Sequence, residues 1–426
     1  MRPHRARLGV LLAVVTLAVP AAPARADSVT DWSANASTAL MGTAGQGATA
    51  IAHMAMVHGA IFDAVNAIDH RYEAYLGAPP AKRWYSKDAA VAAAAHRVLV
   101  SGRVVAAGQQ AALETSVDQL YAAALAAIPD GPAKAGGIAT GEAAGWAMVA
   151  ARTDDGRFGP YRFPVGTRPG EWRPVLPAFV NDPGAWLKDV DPFLVRRPGR
   201  FATRGPNALT SRAYTREYAE VKAIGKSDSA TRTADQTAAA RFWGAANAVA
   251  TWAMLDRTLA GLRPMDTVDR ARFYALIWLT SADAAIAVWI DKAKWLYWRP
   301  ITAIQEGDAD GNPETVGDPA WLPLINNPPY PEHASGLTAL AASHVASLRE
   351  LFGTDRVTFG GTITPAMGAP VTRSYTRLSQ AVDETVDARV WSGIHFRIAD
   401  VQGAKLGREV AEWRREHRFL RPLRHR

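Results

Sequence analysis

The chain of 426 residues contains no cysteine. Disulfide staples, thiolate metal sites and cysteine nucleophiles are therefore excluded, and stability has to come from a buried core. Period-two alternation of apolar and polar residues never persists long enough for a sheet. No internal repeat of fixed period is visible, and no basic stripe with interleaved aromatics crosses the body, so nucleic acid is not an expected partner. The formal charge of +8 sits at the ends: residues 1–26 hold four Arg and no acid, leaving +4 (8 − 4) for the rest. The closing stretch WRREHRFLRPLRHR carries six Arg and reads as a solvated tail. After the first residues, no run is expected to reach the roughly 20 apolar residues of a membrane span.

What is present begins with a leader. MRPHRAR is a basic start, LGVLLAVVTLAV a short apolar run, and Ala24–Ala26 a small-x-small cleavage site. Residues 1–26 are expected to be a signal peptide, with a secreted mature chain starting near Asp27. Helical spacing then dominates. TAIAHMAMVHGAIFDAVNAI, SKDAAVAAAAHRVLV with Ser86 as N-cap, SVDQLYAAALAAI and AGGIATGEAAGWAMVAAR form an N-terminal helical half over 27–153. Residues 154–210 break the rhythm with glycine, proline and aromatics, which predicts a wrapping loop with Trp172 and Trp186 as anchors. Helical periodicity resumes in a C-terminal half over 211–426. One helix is expected over 229–261 and another from Asp266 up to Arg299-Pro300, because a residue preceding proline is pushed out of the helical region. DADGNPET (308–315) lacks the terminal acid of a calcium loop, having Pro319 at its twelfth position, and reads as a polar turn. The fold class is all-α, two packed helical bundles.

Three clusters carry chemistry. In DKAKWLYWRP, Lys292 and Arg299 are seven apart, which on a helix sets them on one face about 10 Å apart along the axis. In NNPPYPEHASGL, Ser335-Gly336 stands at an apparent helix start, where free N–H groups and the helix dipole favour an anion. In ARVWSGIHFRIAD, Arg389 and His395 are six apart, and a break at Gly393 would let them meet.

Taken in order, Lys-x6-Arg-Pro, Ser-Gly at a helix start and Arg-x5-His resemble the signature shared by vanadium-dependent haloperoxidases and the type-2 phosphatidic acid phosphatase superfamily. The likeness covers roughly residues 230 to 415, and AMVHGAIFDAVNAID is similar to the bacterial haloperoxidase-type members. The resemblance implies that Lys292, Arg299 and Arg389 neutralise the oxygens of vanadate or phosphate, and that Ser335 and Gly336 add hydrogen bonds. It further implies that His395 bonds vanadium apically or attacks phosphorus, with Trp289 and Tyr330 at the halide and peroxide end.

The chain departs from that pattern at Leu337, where the family has an acid–base histidine; leucine has no proton to give. His333 is the candidate substitute, whereas His344 lies two turns along the helix. Asp400 stands five residues after His395, where the phosphatase motif has an acid four after, and Ala399 occupies that place. The expected activity is oxidation of halide by hydrogen peroxide on bound vanadate. The alternatives are a phosphomonoesterase using His395 as nucleophile, and a catalytically impaired anion-binding scaffold. Expected partners are hydrogen peroxide, halide or a phosphate ester, and a homodimer stays open.

Overall fold

The computed structural model describes residues 27–44, 47–101, 103–105, 107–244, 248–365 and 369–423. The leader expected over 1–26 lies outside them. In chain order the helices are α1 (Ser28–Ala44), α2 (Ala50–Asp69), α3 (Lys87–Ser101), α4 (Gln110–Ala126), α5 (Pro132–Ala151), α6 (Arg212–Ile224), α7 (Ala234–Gly244) and α8 (Ala248–Gly261). There follow α9 (Thr267–Trp295), α10 (Pro300–Gln305), α11 (Gly336–Phe352), α12 (Leu378–Trp391) and α13 (Arg397–Glu416). The all-α expectation holds, with one addition: an antiparallel hairpin of β1 (Phe359–Ile363) and β2 (Val371–Tyr375), paired Phe359 to Tyr375 and Ile363 to Val371.

Two bundles share one helix. Alanine-rich α3 packs against α5, and both flank α2; α2 in turn lies along α9. On its other side α9 meets α11 and α13, which with α12 make the second bundle. The start of α9 is set by Asp266, whose carboxylate accepts the Asp269 amide at 3.0 Å, an N-cap bond. Helices α2 and α9 are buried on nearly every face, as a helix apolar all round requires.

Two sequence expectations need correction here. By length and composition 47–69 and α9 would each suffice to cross a membrane, but 94% of each apolar window is buried inside the protein, as core helices are. The helix expected over 229–261 begins only at Ala234; α7 and α8 are helical, and residues 245–247 between them lie outside the described residues.

Between α5 and α6 the chain has no α-helix or strand, only the 3-10 turns Ala185–Asp189 and Pro198–Phe201. It is fastened to α9 by one carboxylate. Asp283, fully buried in the middle of that helix, accepts the consecutive amides of Phe193, Leu194 and Val195 at 2.6, 2.7 and 2.7 Å. Burial raises this carboxyl to about 6 even against those three donors. Trp172 and Trp186 are buried anchors, and the Trp172 amide donates to the Leu296 carbonyl at 2.7 Å.

Replacing the acceptor leaves three interior N–H groups unpaired. Asp283→Ala is expected to destabilise the protein by about 3–5 kcal/mol, and Asp283→Asn by less, since one carbonyl oxygen remains. Denaturant unfolding of the two variants checks this order.

Candidate oxyanion site

Lys292 and Arg299 reach one another by a different route from the shared helical face that seven-residue spacing suggested. Helix α9 ends at Trp295 because Leu296 is left-handed (φ 46), its amide closing on the Lys292 carbonyl. Arg299 is extended (φ −81, ψ 155), as the residue before Pro300 must be, and Pro300 then opens α10. The chain reversal brings both cations over one ring: Lys292 Nζ lies 5.0 Å and Arg299 Cζ 5.1 Å from the Tyr330 centroid.

The loop leading to α11 answers these charges with carbonyls. Pro328, Pro329 and Pro331 have no N–H, so this stretch is rich in acceptors and poor in donors. Lys292 Nζ donates to the Pro331 and Glu332 carbonyls at 2.7 and 3.0 Å. Arg299 Nε donates to Tyr330 O at 3.0 Å, and its Nη1 to Ile394 O at 2.9 Å.

Ser335 holds the N-cap position of α11 but its side chain makes no capping bond, and its Oγ is buried without a partner. Among the described residues no acceptor faces the amides of Gly336 and Leu337; the first bond of the helix is Ala339 N–H to Ser335 O. The turn therefore offers a hydroxyl and free N–H groups at the positive end of a helix dipole. Gly336 lies under Trp289, whose ring atom Cζ3 would be 3.2 Å from a Cβ there.

Arg389 sits in the last turn of α12. The break at Gly393 is present: φ is +78, and a Cβ would lie 2.4 Å from the Gly225 carbonyl, so only glycine fits. His395 falls just outside both helices. Its Nδ1–H donates to Glu332 Oε1 at 2.9 Å, and its Nε2 accepts from Arg299 Nη1 at 3.2 Å. Glu332 Oε1 also takes the Phe396 amide at 2.9 Å. The imidazole is thus held as one tautomer, with the Nε2 lone pair turned to the cationic side.

Burial governs the electrostatics. It holds His395 well below the ordinary histidine range, helped by Arg299, Arg389 and Lys292, so the ring is neutral. Burial and then Arg299 depress Lys292, while burial pulls Arg299 down to about 10 and lowers Arg389 as well. Two interior carboxyls move the other way. Glu332 and Asp400 are each raised to about 8, burial outweighing the nearby cations.

A cavity of about 170 Å³ opens onto this arrangement, with Arg389, His395, Gly336, Trp289 and Tyr330 in its wall and Leu337 beside them. Lys292, Arg299 and Ser335 lie fully buried behind that wall. His333 does not line it. Its Nε2–H donates to Thr203 Oγ1 at 2.9 Å, and the Thr203 hydroxyl in turn donates to Asp291. The expected substitute for the acid–base group thus stands in a hydrogen-bonded chain with Thr203 and Asp291 and not in the cavity wall. Burial lowers it to about 3, so the ring is a neutral imidazole at neutral pH. His344 is also elsewhere, bonded to Ser281 at 2.8 Å and paired with Asp256. Glu332 was not singled out by the sequence; an acid beside a histidine in a proline-rich loop is no signal until the fold sets it against His395.

Comparison with known proteins bears out the superfamily resemblance. Residues 272–420 match a family model described as the VCPO second helical-bundle domain. A segment is 34% identical over 82 residues to vanadium chloroperoxidase of Curvularia inaequalis, covering 17% of this chain and only 13% of that relative. Among solved structures, a bacterial vanadium-dependent iodoperoxidase superposes with a TM-score of 0.76 at 21% identity, over 95% of this chain and 99% of the other. The holo form of a bacterial vanadium-dependent chloroperoxidase gives 0.68 at 18% identity, over 87% and 91%. The helical architecture is thus that of the vanadium haloperoxidases.

Glu332→Ala removes the acceptor of both His395 Nδ1 and the Phe396 amide. The expected results are a stability loss of about 1–3 kcal/mol and a mixed tautomer at His395. Imidazole nitrogen shifts would report the second; an unchanged single tautomer would show that Glu332 does not orient the ring.

Proposed function

We propose that the protein is a vanadate-dependent haloperoxidase-like enzyme that oxidises halide with hydrogen peroxide at this cage. The observation that carries the reading is a set of buried donors without protein partners around His395: Arg299 Nη2, Arg389 Nε and Ser335 Oγ. Interior donors are rarely left unpaired, and these suit a tetrahedral or trigonal-bipyramidal oxyanion. The residues present therefore fit vanadate. Lys292, Arg299 and Arg389 would balance its charge, Ser335 with the Gly336 and Leu337 amides would donate to its oxygens, and His395 Nε2 would bond its centre. Vanadate, when bound, supplies a Lewis-acidic centre that activates hydrogen peroxide for attack by halide.

The chain's own contribution is preorganisation. Glu332 fixes the imidazole with its Nε2 lone pair turned toward the cations, and burial keeps that ring unprotonated. The cations and helix amides are aimed in advance, so no reorganisation is needed when charge develops. Arg389, Trp289 and Tyr330 in the cavity wall give an incoming halide a positive group and two polarisable rings.

The same cage, with a neutral, carboxylate-oriented His395, favours phosphomonoester hydrolysis as a second reading. Leucine at 337 cannot protonate a leaving alkoxide, so aryl phosphates are then expected to turn over and alkyl phosphates not.

Orthovanadate is expected to bind one-to-one in calorimetry, and Arg389→Ala to weaken binding by about 2–5 kcal/mol. The vanadate-loaded protein should then brominate a dye only when peroxide is added. Bound vanadate with no bromination anywhere between about pH 4 and 8 would end the haloperoxidase reading. If aryl phosphates were also untouched, an anion-binding scaffold would remain.

A further inference from the structure

The missing histidine at 337 has a counterpart behind the helix start rather than on it. The first turn of α13 lies directly on the backbone of α11. The Ser335 amide donates to the Ala399 carbonyl at 3.0 Å. A Cβ at Gly403 would sit 2.4 Å from Ser335 O, and one at Gly407 2.1 Å from Ala339 O, so these two glycines permit the approach. Asp400, next after Ala399, is thereby set in the interior beside the Ser335 hydroxyl, which is the group that most favours its charged form.

Neither oxygen of Asp400 makes a hydrogen bond of standard geometry among the described residues, the residue is fully buried, and it joins no ion pair there. Ser335 Oγ is equally unpartnered and is not used as a helix cap. A bare carboxylate in such a place is costly, whereas a neutral carboxylic acid is a hydrogen-bond donor. Groups facing Asp400 are Ser335 at the α11 start, Arg389 from α12, Arg299 before α10, Lys292 from α9, Glu332 from the proline-rich loop, and Arg397 on its own helix. Burial prevails over the cations and raises the carboxyl to about 8.

We propose that Asp400, acting through the Ser335 hydroxyl, supplies the bound oxyanion with the proton that Leu337 cannot give. Ser335 is the group that touches the anion, and Asp400 is the positioning residue behind it. The Ser335 O–H bond breaks as its proton passes to an oxygen of the anion. The Asp400 proton moves onto Ser335 Oγ, leaving a carboxylate faced by Arg389. The reverse transfer restores both when hydrogen peroxide or water next brings a proton into the site. No electrons change hands. The inference rests on the oxyanion reading of the cage.

The test uses sulfate, which stays a dianion throughout and has no vanadium chemistry. Binding to the full protein is measured by calorimetry near pH 8 in buffers of different ionisation heat, which counts the protons taken up. An added anion favours protonated Asp400, so the wild type should take up roughly half a proton more per sulfate than Asp400→Asn. Equal uptake in both proteins would overturn the proposal. Absence of any sulfate or orthovanadate binding would overturn the cage reading with it. In the vanadate-loaded enzyme, Asp400→Asn and Ser335→Ala should each lower turnover by about 10²–10⁴, and the double variant by no more than either. Leu337→His should rescue the Asp400→Asn protein. A purely structural Asp400 would show additive losses and no rescue, and Ser335→Ala, which deletes one oxygen, keeps the comparison available should Asp400→Asn fold poorly.

Discussion

Gathering three cations in one dry interior is the constraint around which the C-terminal bundle is organised. At an effective dielectric of about 20, two unit charges about 5 Å apart repel by roughly 3 kcal/mol, before any desolvation is counted. Lys292, Arg299 and Arg389 are all interior. The compensation is almost entirely main-chain: the carbonyls of Tyr330, Pro331, Glu332, Ile394 and Trp243 accept from the three side chains. A proline-rich loop suits this task because it presents oxygens without presenting N–H groups. The Tyr330 ring adds a face to two of the cations at once, as cation–π partners do.

Every cage residue stands at a helix end, and that is how distant stretches of chain converge. Lys292 and Arg389 occupy the last turns of α9 and α12, where the dipole favours cations. Ser335 and Gly336 open α11, where it favours an anion. Arg299 lies one residue, and His395 two, before the helices that follow them. Such positions can be aimed by a single backbone device, left-handed Leu296 in one case and Gly393 in the other, without disturbing the buried faces that hold the bundles together.

Leu337 changes the character of the cavity more than that of the cage. It joins Leu340, Ile51, Ile325 and Ile394 in an apolar wall facing Arg389 and His395. The ionic and apolar sides are consequently close neighbours. Asp400 and Glu332 are the interior acids there, one beside Ser335 and one beside His395.

Much of this was legible in the chain before folding. Helical periodicity, the Ser86 cap and the absence of lasting period-two alternation decided the all-α class, because burial of a helix face imposes a spacing that survives in the sequence. The order of Lys-Arg-Pro, Ser-Gly and Arg-His marked the cage, and the broken phase between Arg389 and His395 required the kink found at Gly393. The stop of α9 at Leu296 left no comparable mark, since apolar spacing runs through it. Nor did the roles of Glu332, Asp400 and His333. A carboxyl or an imidazole takes its character from what is packed against it, and those neighbours lie 63 residues from Glu332 and 130 from His333 along the chain. The sequence alone determined which residue types were available to hold an anion; only tertiary packing, by deciding which were dehydrated and beside what, determined which of them carry a proton.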